Sequence, residues 1–381
     1  CAVAGTFAQV FLEYRGLTNS QIGLALSLSA ALAIGIQTFF SDLCDKHPHI
    51  PLKGIVAVVF AVTAALAAIM NWLPCSVIIV MVCYSSMAAC SSAQNGFLNA
   101  LPMQLSNLGL TVNYGIPRGL GSLGFALFSL LLGNILEEYS PDILLPVTIG
   151  LCIVAAACVL LMPRPSAIAK KHHLTFTAQT APKTSLATML KGNPTFCLFL
   201  IATTLIMVGQ SISMSYLNPC VEAVGGSTSD TGTLAMVQSI SELPCMFLSA
   251  FLLKRFTSNK LVLFSAFGFM MKILLLTIAP SVGFMYASVA LGCIGMGLFA
   301  FSSVYFVNSI VRSSETVRAQ ALVTACMMGG LATIIGGLLG GIMLDAFGTK
   351  ILLVLTTILT AMGLICMGKV NHLYQKYFKQ K

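Results

Sequence analysis

Two ionisable residues lie inside apolar stretches and are candidates for carrying a proton. Lys272, within "GFMMKILLLTIAP", comes twelve residues after Lys260, and Glu242 comes twelve residues before Lys254. If Lys260 and Lys254 mark the same membrane edge, a helical rise of about 1.5 Å per residue puts both charges roughly 18 Å from it. A lone charge near mid-membrane costs on the order of 3 kcal/mol, so such residues usually pair or face water. The spacing predicts either a proton-coupling pair, in which Glu242 gains and loses the proton, or a fixed ion pair between two helices.

Polar side chains in other apolar segments are candidates for binding a solute. Such groups either hydrogen-bond a neighbouring helix or contact a ligand, and each residue by itself fits both roles equally well. Several share a helical face through i+4 and i+11 spacing, which favours ligand contact for the group. Glu13, which shares a face with one of them, is a further proton-coupling candidate. The solute-binding candidates are Gln9, Gln94, Asn95, Asn99, Gln210, Tyr216, Gln238 and Tyr305.

The composition places these residues in a membrane protein. Of 381 residues, 57% are hydrophobic and 8% are charged, too few polar side chains for a water-facing surface. A helix crosses a bilayer with about 20 apolar residues, whereas a barrel strand needs about 10 that alternate, and these runs do not alternate. The sequence predicts an all-α integral membrane protein with twelve transmembrane helices. The runs are Cys1–Glu13, Ser20–Phe40, Lys53–Leu73, Ser76–Leu105, Arg118–Leu136, Pro141–Leu161, Pro194–Leu217, Gly232–Leu253, Leu261–Ala279, Gly283–Val311, Arg318–Leu344 and Ile351–Met367.

The net charge of +9 reflects membrane topology. If the amino terminus is cytoplasmic, 17 of the 20 basic residues fall on the cytoplasmic side; the exceptions are Arg15 and Lys350 outside and Lys272 within the bilayer. This bias is the positive-inside rule. It predicts a multi-pass protein of the cell (inner) membrane with both termini in the cytoplasm, and it explains the basic residues without a nucleic-acid partner. Because the first apolar run is short, we expect further residues of that span to precede Cys1.

The sequence contains no pattern typical of an enzyme or a metal protein. Its 13 cysteines include no C-x-x-C pair, which argues against a zinc framework. The phosphate-binding motif G-x-x-x-x-G-K-[ST] is absent, and no Ser/His/Asp constellation stands out. We therefore expect no catalytic residue, no metal and no cofactor.

A polar stretch divides the chain into two halves. Residues 163–193 contain the basic segment "RPSAIAKKHHLTFTAQTAPK", whose composition is typical of a linker. It separates six predicted spans in residues 1–162 from six in residues 194–381. The predicted domains are an N-terminal six-helix bundle, a cytoplasmic linker, and a C-terminal six-helix bundle with a basic cytoplasmic tail.

The two halves share a short repeat. The segments "EYRGLTNSQIG", which begins at Glu13, and "EAVGGSTSDTG", which begins at Glu222, have E-x-x-G-x-x-x-S-x-x-G in common and lie 209 residues apart. In each segment the first glycine suits the C-terminal turn of one helix, and the serine suits the N-cap of the next. Parallel related halves are the arrangement of a large class of secondary transporters.

These segments resemble signatures of the major facilitator superfamily over nearly the whole chain. "FFSDLCDK", which contains Asp42 and Asp45, resembles the loop between spans two and three, and "ETVRAQAL" and "GGIMLDAFG" resemble later signatures. The resemblance implies two pseudo-symmetric six-helix bundles that work by alternating access, with spans one, four, seven and ten around a central cavity. Asp42 and Asp45 would then join gate contacts with basic loop residues, or simply solvate the loop.

Within the superfamily, "YGIPRGLGSLGFAL" resembles the fifth span of the lactose permease type of oligosaccharide/proton symporter. The resemblance implies that Arg118 donates hydrogen bonds to sugar hydroxyls and that Phe125 stacks on the sugar ring. Lys272 aligns with a ninth-span arginine of that family's proton-coupling cluster. Asn99 lies nearest the position of its fourth-span glutamate, and its tenth-span His and Glu have no counterpart here.

Glycines near the end of the chain are spaced for close helix packing. The segment "GGLATIIGGLLGG" contains overlapping G-x-x-x-G pairs that include Gly337 and Gly341. Small faces let helices approach and slide, which predicts a gating role, although tight static packing explains the spacing equally well.

The sequence thus predicts a monomeric secondary transporter that takes up a small hydrophilic solute, a sugar or a nucleoside, together with protons or Na+. Two alternatives stay open: a proton-driven exporter of drugs or metabolites, and a receptor or scaffold that transports nothing. The fifth span lacks the Gly-Pro pair usual in exporters of the superfamily, which favours uptake.

Overall fold

The regular structure is helical throughout the described part of the chain, which confirms the all-α prediction. The apolar runs account for this, because a helix satisfies its own backbone N–H and C=O groups in hydrocarbon. A computed structural model describes residues 5–46, 52–107, 115–162, 186–312, 315–327 and 329–377.

Within the described ranges, the first half contains six α-helices and the second contains ten. The first half contains α1 (Ala8–Tyr14), α2 (Asn19–Lys46), α3 (Leu52–Trp72), α4 (Val77–Asn107), α5 (Gly115–Glu138) and α6 (Leu144–Leu161). The second half contains α7 (Leu186–Gly192), α8 (Pro194–Ser215), α9 (Leu217–Glu222), α10 (Thr228–Phe247), α11 (Ser249–Arg255), α12 (Ser258–Thr277), α13 (Val282–Ala290), α14 (Met296–Ile310), α15 (Thr316–Cys326) and α16 (Leu331–Tyr377).

Most of the predicted spans are present as helices. In the described ranges, nine helical stretches are long and apolar enough to cross a membrane, or ten when α10 and α11 count as one span bent by 54°. The last of the nine contains Gly348, whose φ of 74° breaks α16 into two helices. The first predicted span is represented by α1, which has seven residues. The multi-span architecture is confirmed, and the number twelve stays a prediction.

Two boundaries differ in an informative way from the predicted ones. The second span, predicted to end at Phe40, continues as α2 to Lys46. The stretch with Asp42 and Asp45 is therefore the last part of a helix and not a loop, although the side chains of these two residues lie outside the described structure. Of the predicted linker, residues 163–185 lie outside the description, and the rest contains α7.

The sequence repeat corresponds to the same local structure in both halves. Gly16 follows α1 with φ of 84°, and Gly225 follows α9 with φ of 81°. L-residues with a side chain avoid this left-handed region, so both turns depend on glycine. A carboxylate lies one turn before each glycine, and a buried amide one turn earlier contacts it: in the first half, the Gln9 amide nitrogen donates to Glu13.

The second half reproduces that amide–carboxylate contact at the equivalent positions. The Asn218 Nδ2 donates to the Glu222 Oε1 at 2.8 Å, and both residues lie 209 positions after their counterparts Gln9 and Glu13. The buried apolar side chains also form separate large clusters, one between residues 7 and 145 and one between residues 189 and 370. Each of these two clusters lies within one half of the chain, and the division into two bundles stays a prediction.

The two halves meet where glycines allow backbones to touch. Helix α2 packs on α16, and α5 packs on α10. A Cβ on Gly23 would overlap the backbone oxygen of Gly337, and a Cβ on Gly232 would overlap the backbone oxygen of Ser129 and lie 2.9 Å from the Cα of Gly133. Gly23 and Gly232 are equivalent positions of the repeat, so at both crossings a glycine lets the two helix backbones touch.

Replacing Gly232 by Ala is expected to destabilise the protein. The added methyl group would push α5 from α10, and overpacking of this kind costs about 1–3 kcal/mol. The matched control is Gly150→Ala on α6, where no atom lies within 4 Å of an added Cβ. That change should raise stability slightly, because Ala is favoured over Gly in a helix by roughly 0.5–1 kcal/mol. The readout is the midpoint of thermal unfolding in detergent, and equal midpoints for the two variants would contradict the close contact.

Candidate functional site

A cavity of about 670 Å³ lies between the two halves. The first half contributes the turn before α1 together with α2, α4 and α5, and the second half contributes α8, α15 and the first turn of α16 with the residues directly before it. The lining reaches from Leu26 to Thr38 along α2, and so extends from mid-helix toward its Lys46 end. The polar lining residues of the first half are Thr6, Ser29, Gln37, Thr38, Ser91 and Ser92. Those of the second half are Ser211, Ser215, Thr324 and Thr333.

The lining is rich in hydroxyl groups and poor in charge. Among the described residues that line the cavity, none is Asp, Glu, Lys, Arg or His. Hydroxyl groups both donate and accept hydrogen bonds, and Phe125 adds an aromatic ring. Such a wall suits a neutral solute with its own hydroxyl groups, because an ion would lose its hydration there without gaining a counter-charge from these residues.

A carboxylate joins the halves at one end of the molecule, called the Asp345 end below. Asp345 accepts hydrogen bonds from the backbone N–H of Ser20 at 2.7 Å and of Asn19 at 3.2 Å, and from the Ser20 Oγ at 2.6 Å. These N–H groups belong to the first turn of α2 and have no partner within that helix. A negative charge also interacts favourably with the positive end of the helix dipole. An acidic residue of the second half therefore caps a helix of the first.

Further contacts between the halves continue from the Asp345 end toward the cavity. The Ser27 hydroxyl donates to the backbone oxygen of Ile334 at 2.7 Å. Beside it, the Tyr216 hydroxyl donates to the backbone oxygen of Gly337 at 2.9 Å within the second half, at the point where Gly23 of the first half approaches. At the second crossing, the Ser229 hydroxyl donates to the Oδ1 of Asn134. Ser229 is the repeat equivalent of Ser20, so both inter-half crossings are bonded at the same end of the molecule.

Lys272 is buried inside the second half, where three helices surround it. Its side chain is 2% exposed. The Nζ donates to the Oε1 of Gln210 on α8 at 3.0 Å and to the Oε1 of Gln238 on α10 at 2.8 Å. Glu242, one turn after Gln238, is near enough to act electrostatically on the ammonium group. The charge that is costly in hydrocarbon is thus solvated by two amide oxygens and a neighbouring carboxylate.

The structure assigns several predicted solute-binding residues to other contacts. Gln210 and Gln238 contact Lys272, and they are not among the described lining residues. Gln94 is buried and its Nε2 donates to the Thr63 Oγ1 at 3.1 Å, which joins α4 to α3. Tyr305 is 54% exposed on α14 and also lies outside the described lining.

The remaining candidates fall into four groups. Phe125 lies in the cavity wall. Gln9 and Glu13 contact each other near the Asp345 end, where Tyr216 also lies. Gly337 and Gly341 lie at the α2–α16 crossing, where an added Cβ would overlap the backbone of Gly23 or Asn19. Three further candidates lie on described helices, but their side chains are outside the description: Asn95, Asn99 and Arg118.

Sequence reasoning missed the hydroxyl lining and the role of Asp345. Serine and threonine in a span usually bond the carbonyl four residues earlier and carry little signal by themselves. The sequence did carry a signal for Asp345. It is an acidic residue directly after a glycine-rich span, in the segment "GGIMLDAFG" that resembles a signature of the superfamily. The prediction that the repeat serines Ser20 and Ser229 are N-caps is wrong, because both lie inside the first turn of their helices. Ser227 caps α10, and at α2 the Thr18 Oγ1 and the Asp345 carboxylate accept from the N-terminal N–H groups.

The fold and the inter-half cavity define a class of protein, the two-bundle membrane transporters. The sequence model of the MFS_1 like family matches residues 3–355. The chain belongs to this family, and the prediction of a major facilitator protein is confirmed. It is a transporter of the membrane and not an enzyme.

Individual proteins are similar to this chain in sequence or in fold. The "Uncharacterized transporter YwbF" of Bacillus subtilis (strain 168) is 26% identical over 323 residues, which cover 82% of this chain and 75% of that protein. The fold is similar to that of the nucleoside transporter NupG, in a mutant form, with a TM-score of 0.80, 15% identity, and coverage of 97% of this chain and 96% of that one. A bacterial homologue of the human lysosomal transporter Spinster, in an inward-facing and unoccupied conformation, has a TM-score of 0.68, 13% identity, and coverage of 98% and 94%.

Replacing Lys272 by Met should lower the thermal stability of the protein. The change keeps the side-chain volume but leaves two buried amide oxygens without a donor, at a cost of about 1–3 kcal/mol for each unsatisfied group. Adding Glu242→Gln should recover part of the loss, because it removes the carboxylate whose charge Lys272 balances. The control is Lys254→Met at the exposed end of α11. If Lys272→Met were as stable as this control, the contacts of Lys272 with the two amides would not stabilise the protein.

Proposed function

We propose that this protein is a secondary active transporter that takes up a small, uncharged, hydroxyl-bearing solute, a nucleoside or a sugar, by alternating access and with proton coupling. The observation that carries the proposal is the inter-half cavity, whose described lining combines ten hydroxyl or amide side chains with Phe125 and has no ionisable group.

The dimensions of the cavity agree with this class of solute. Sites for small molecules typically measure about 300–1,000 Å³, and the volume of about 670 Å³ falls in that range. Hydroxyl groups of the wall can pair with those of a ribose or a hexose, and the Phe125 ring offers a face to a base or a sugar ring. The solved transporter NupG, which shares the fold, is named a nucleoside transporter, which supports this side of the proposal.

The contacts between the halves support alternating access. The halves are bonded at the Asp345 end, and the cavity extends away from that end along α2. The distribution of basic residues predicts that the Asp345 end is extracellular, so the described state would be closed outside. Transport then requires the Asp345–Ser20 contact to break. Helices that meet through Gly337 and Gly341 can slide with little side-chain obstruction, which suits a gate.

We propose that coupling to protons takes place at a cluster formed by Lys272, Gln210, Gln238 and Glu242, called the Lys272 cluster. When Glu242 is ionised, it shares the charge of Lys272 with the two amide oxygens; when Glu242 is protonated, the amides hold the ammonium group without that counter-charge. Gln210 is adjacent in sequence to Ser211, which lines the cavity. A change in how tightly Lys272 holds Gln210 would therefore be transmitted along α8 to the cavity wall. Glu13, beside Gln9, is the second carboxylate proposed for this role.

Counterflow of labelled solutes in proteoliposomes tests the transported class. We expect exchange of a nucleoside or a sugar and none of apolar cations, which a drug exporter would prefer. Ser215→Ala should raise the KM of the exchanged solute about 2- to 10-fold, since a net hydrogen bond contributes roughly 0.5–1.5 kcal/mol. Ser249→Ala, at the start of α11 and away from the cavity, is the control. Absence of counterflow for every class would favour a receptor or scaffold.

The coupling proposal has its own test. Glu242→Gln should retain counterflow at a rate within about twofold of the unmodified protein, yet lose accumulation driven by a pH gradient, because the amide cannot bind and release a proton. Glu137→Gln, an exposed carboxylate at the end of α5, should retain both. If the Glu242→Gln variant still accumulated solute in response to a pH gradient, Glu242 would not be the proton-coupling residue.

A further inference from the structure

A pair of cysteines lies where two membrane spans are interrupted. The Sγ atoms of Cys245 on α10 and Cys293 are 2.9 Å apart. Both side chains are partly exposed, and the two residues are 48 positions apart in the chain. A disulfide bond is about 2.05 Å long, so the sulfur atoms would need to move by less than about 1 Å to bond.

The backbones around the pair are already in contact. A Cβ on Gly297, the second residue of α14, would lie 3.0 Å from the Cβ of Cys245 and 3.1 Å from the backbone oxygen of Glu242. Close backbone packing holds α10 against α14 at this point. The sulfur contact therefore does not depend on two long or mobile side chains.

Each cysteine lies beside a break in its helix. Pro244 is inside α10, directly before Cys245, and the axis bends by 54° between α10 and α11 around Leu248. Cys293 ends a 3-10 turn, Leu291–Cys293, that separates α13 from α14. Proline and 3-10 turns are the usual places where helices bend, so a covalent bond here would join two hinge points.

We propose that Cys245 and Cys293 form a reversible disulfide site that, when oxidised, locks the two breaks together and stops the second half from changing conformation. The two S–H bonds are replaced by one S–S bond, and two electrons and two protons pass to the oxidant. The oxidant is a membrane-soluble quinone, which leaves as the hydroquinone. Cys245 lies nine residues before Lys254, and because the chain bends by 54° between them, the straight-helix distance of roughly 14 Å from that membrane edge is an upper bound. Both thiols lie in apolar spans, which favours an oxidant dissolved in the bilayer over a polar one.

The experiment uses the full-length chain in lipid nanodiscs with duroquinone. We expect loss of two free thiols per chain and a Cys245–Cys293 cross-linked peptide in mass spectrometry. Deuterium exchange at the two breaks, around Leu248 and Leu291–Cys293, should slow at least tenfold and recover after reduction by a membrane-permeant thiol. Cys245→Ser and Cys293→Ser should each prevent all of these changes, whereas Cys83→Ser on α4, also partly exposed, should leave them intact.

Two outcomes would overturn the proposal: no cross-linked peptide under quinone, or a cross-link that leaves deuterium exchange at the breaks unchanged. The effect on transport rests on the proposed function and is measured separately, as at least a tenfold reversible fall in counterflow. If the reduced protein shows no counterflow but forms the cross-link and slows exchange, the transport proposal fails and the disulfide site stands.

Discussion

The contact between α2 and α16 determines where the two halves of this transporter are bonded to each other. Its core is a place where two backbones touch, because Gly23 and Gly337 have no side chains to separate them. The N-terminal N–H groups of α2 would lack partners in their own helix, and the Asp345 carboxylate of the other half supplies the acceptors. At the second crossing, Gly133 and Gly232 likewise allow two backbones to touch. Because the halves are bonded at one end, the space between them elsewhere becomes the cavity.

The cavity and the buried charge occupy different places, and this separation is central to the proposed mechanism. The solute would contact hydroxyl groups between the halves, while Lys272 lies within the second half and contacts Gln210 and Gln238. Helix α8 connects the two, since it carries Gln210 on one side and Ser211 in the cavity wall. A proton bound near Lys272 can therefore influence the solute site without touching the solute. The same half contains the Cys245–Cys293 contact one turn from Glu242, so an oxidised pair would act on the element that carries the proposed proton site.

The sequence predicted the architecture better than it predicted the site. Hydrophobic length determines which segments become helices, so the spans, their order and the repeat could be predicted from local composition. The roles of the amide side chains could not be predicted from the sequence. Gln94, Gln210 and Gln238 share with true ligand residues the property of being polar within an apolar helix, but each found a partner inside its own half. Tyr216 likewise donates to a backbone oxygen of its own half, that of Gly337 at the α2–α16 crossing.

The sequence by itself determined that the chain crosses a membrane as helices, that Gly16 and Gly225 end equivalent helices, and that a buried lysine needs polar company. These follow from the cost of exposed backbone and charge in hydrocarbon, which depends on composition and local spacing. Only the tertiary structure decided that Asp345 caps α2, that Lys272 contacts amides of α8 and α10, and that weakly informative serines and threonines line one cavity. Those outcomes depend on how helices distant in sequence pack, and short polar side chains take whichever partner that packing brings within about 3 Å.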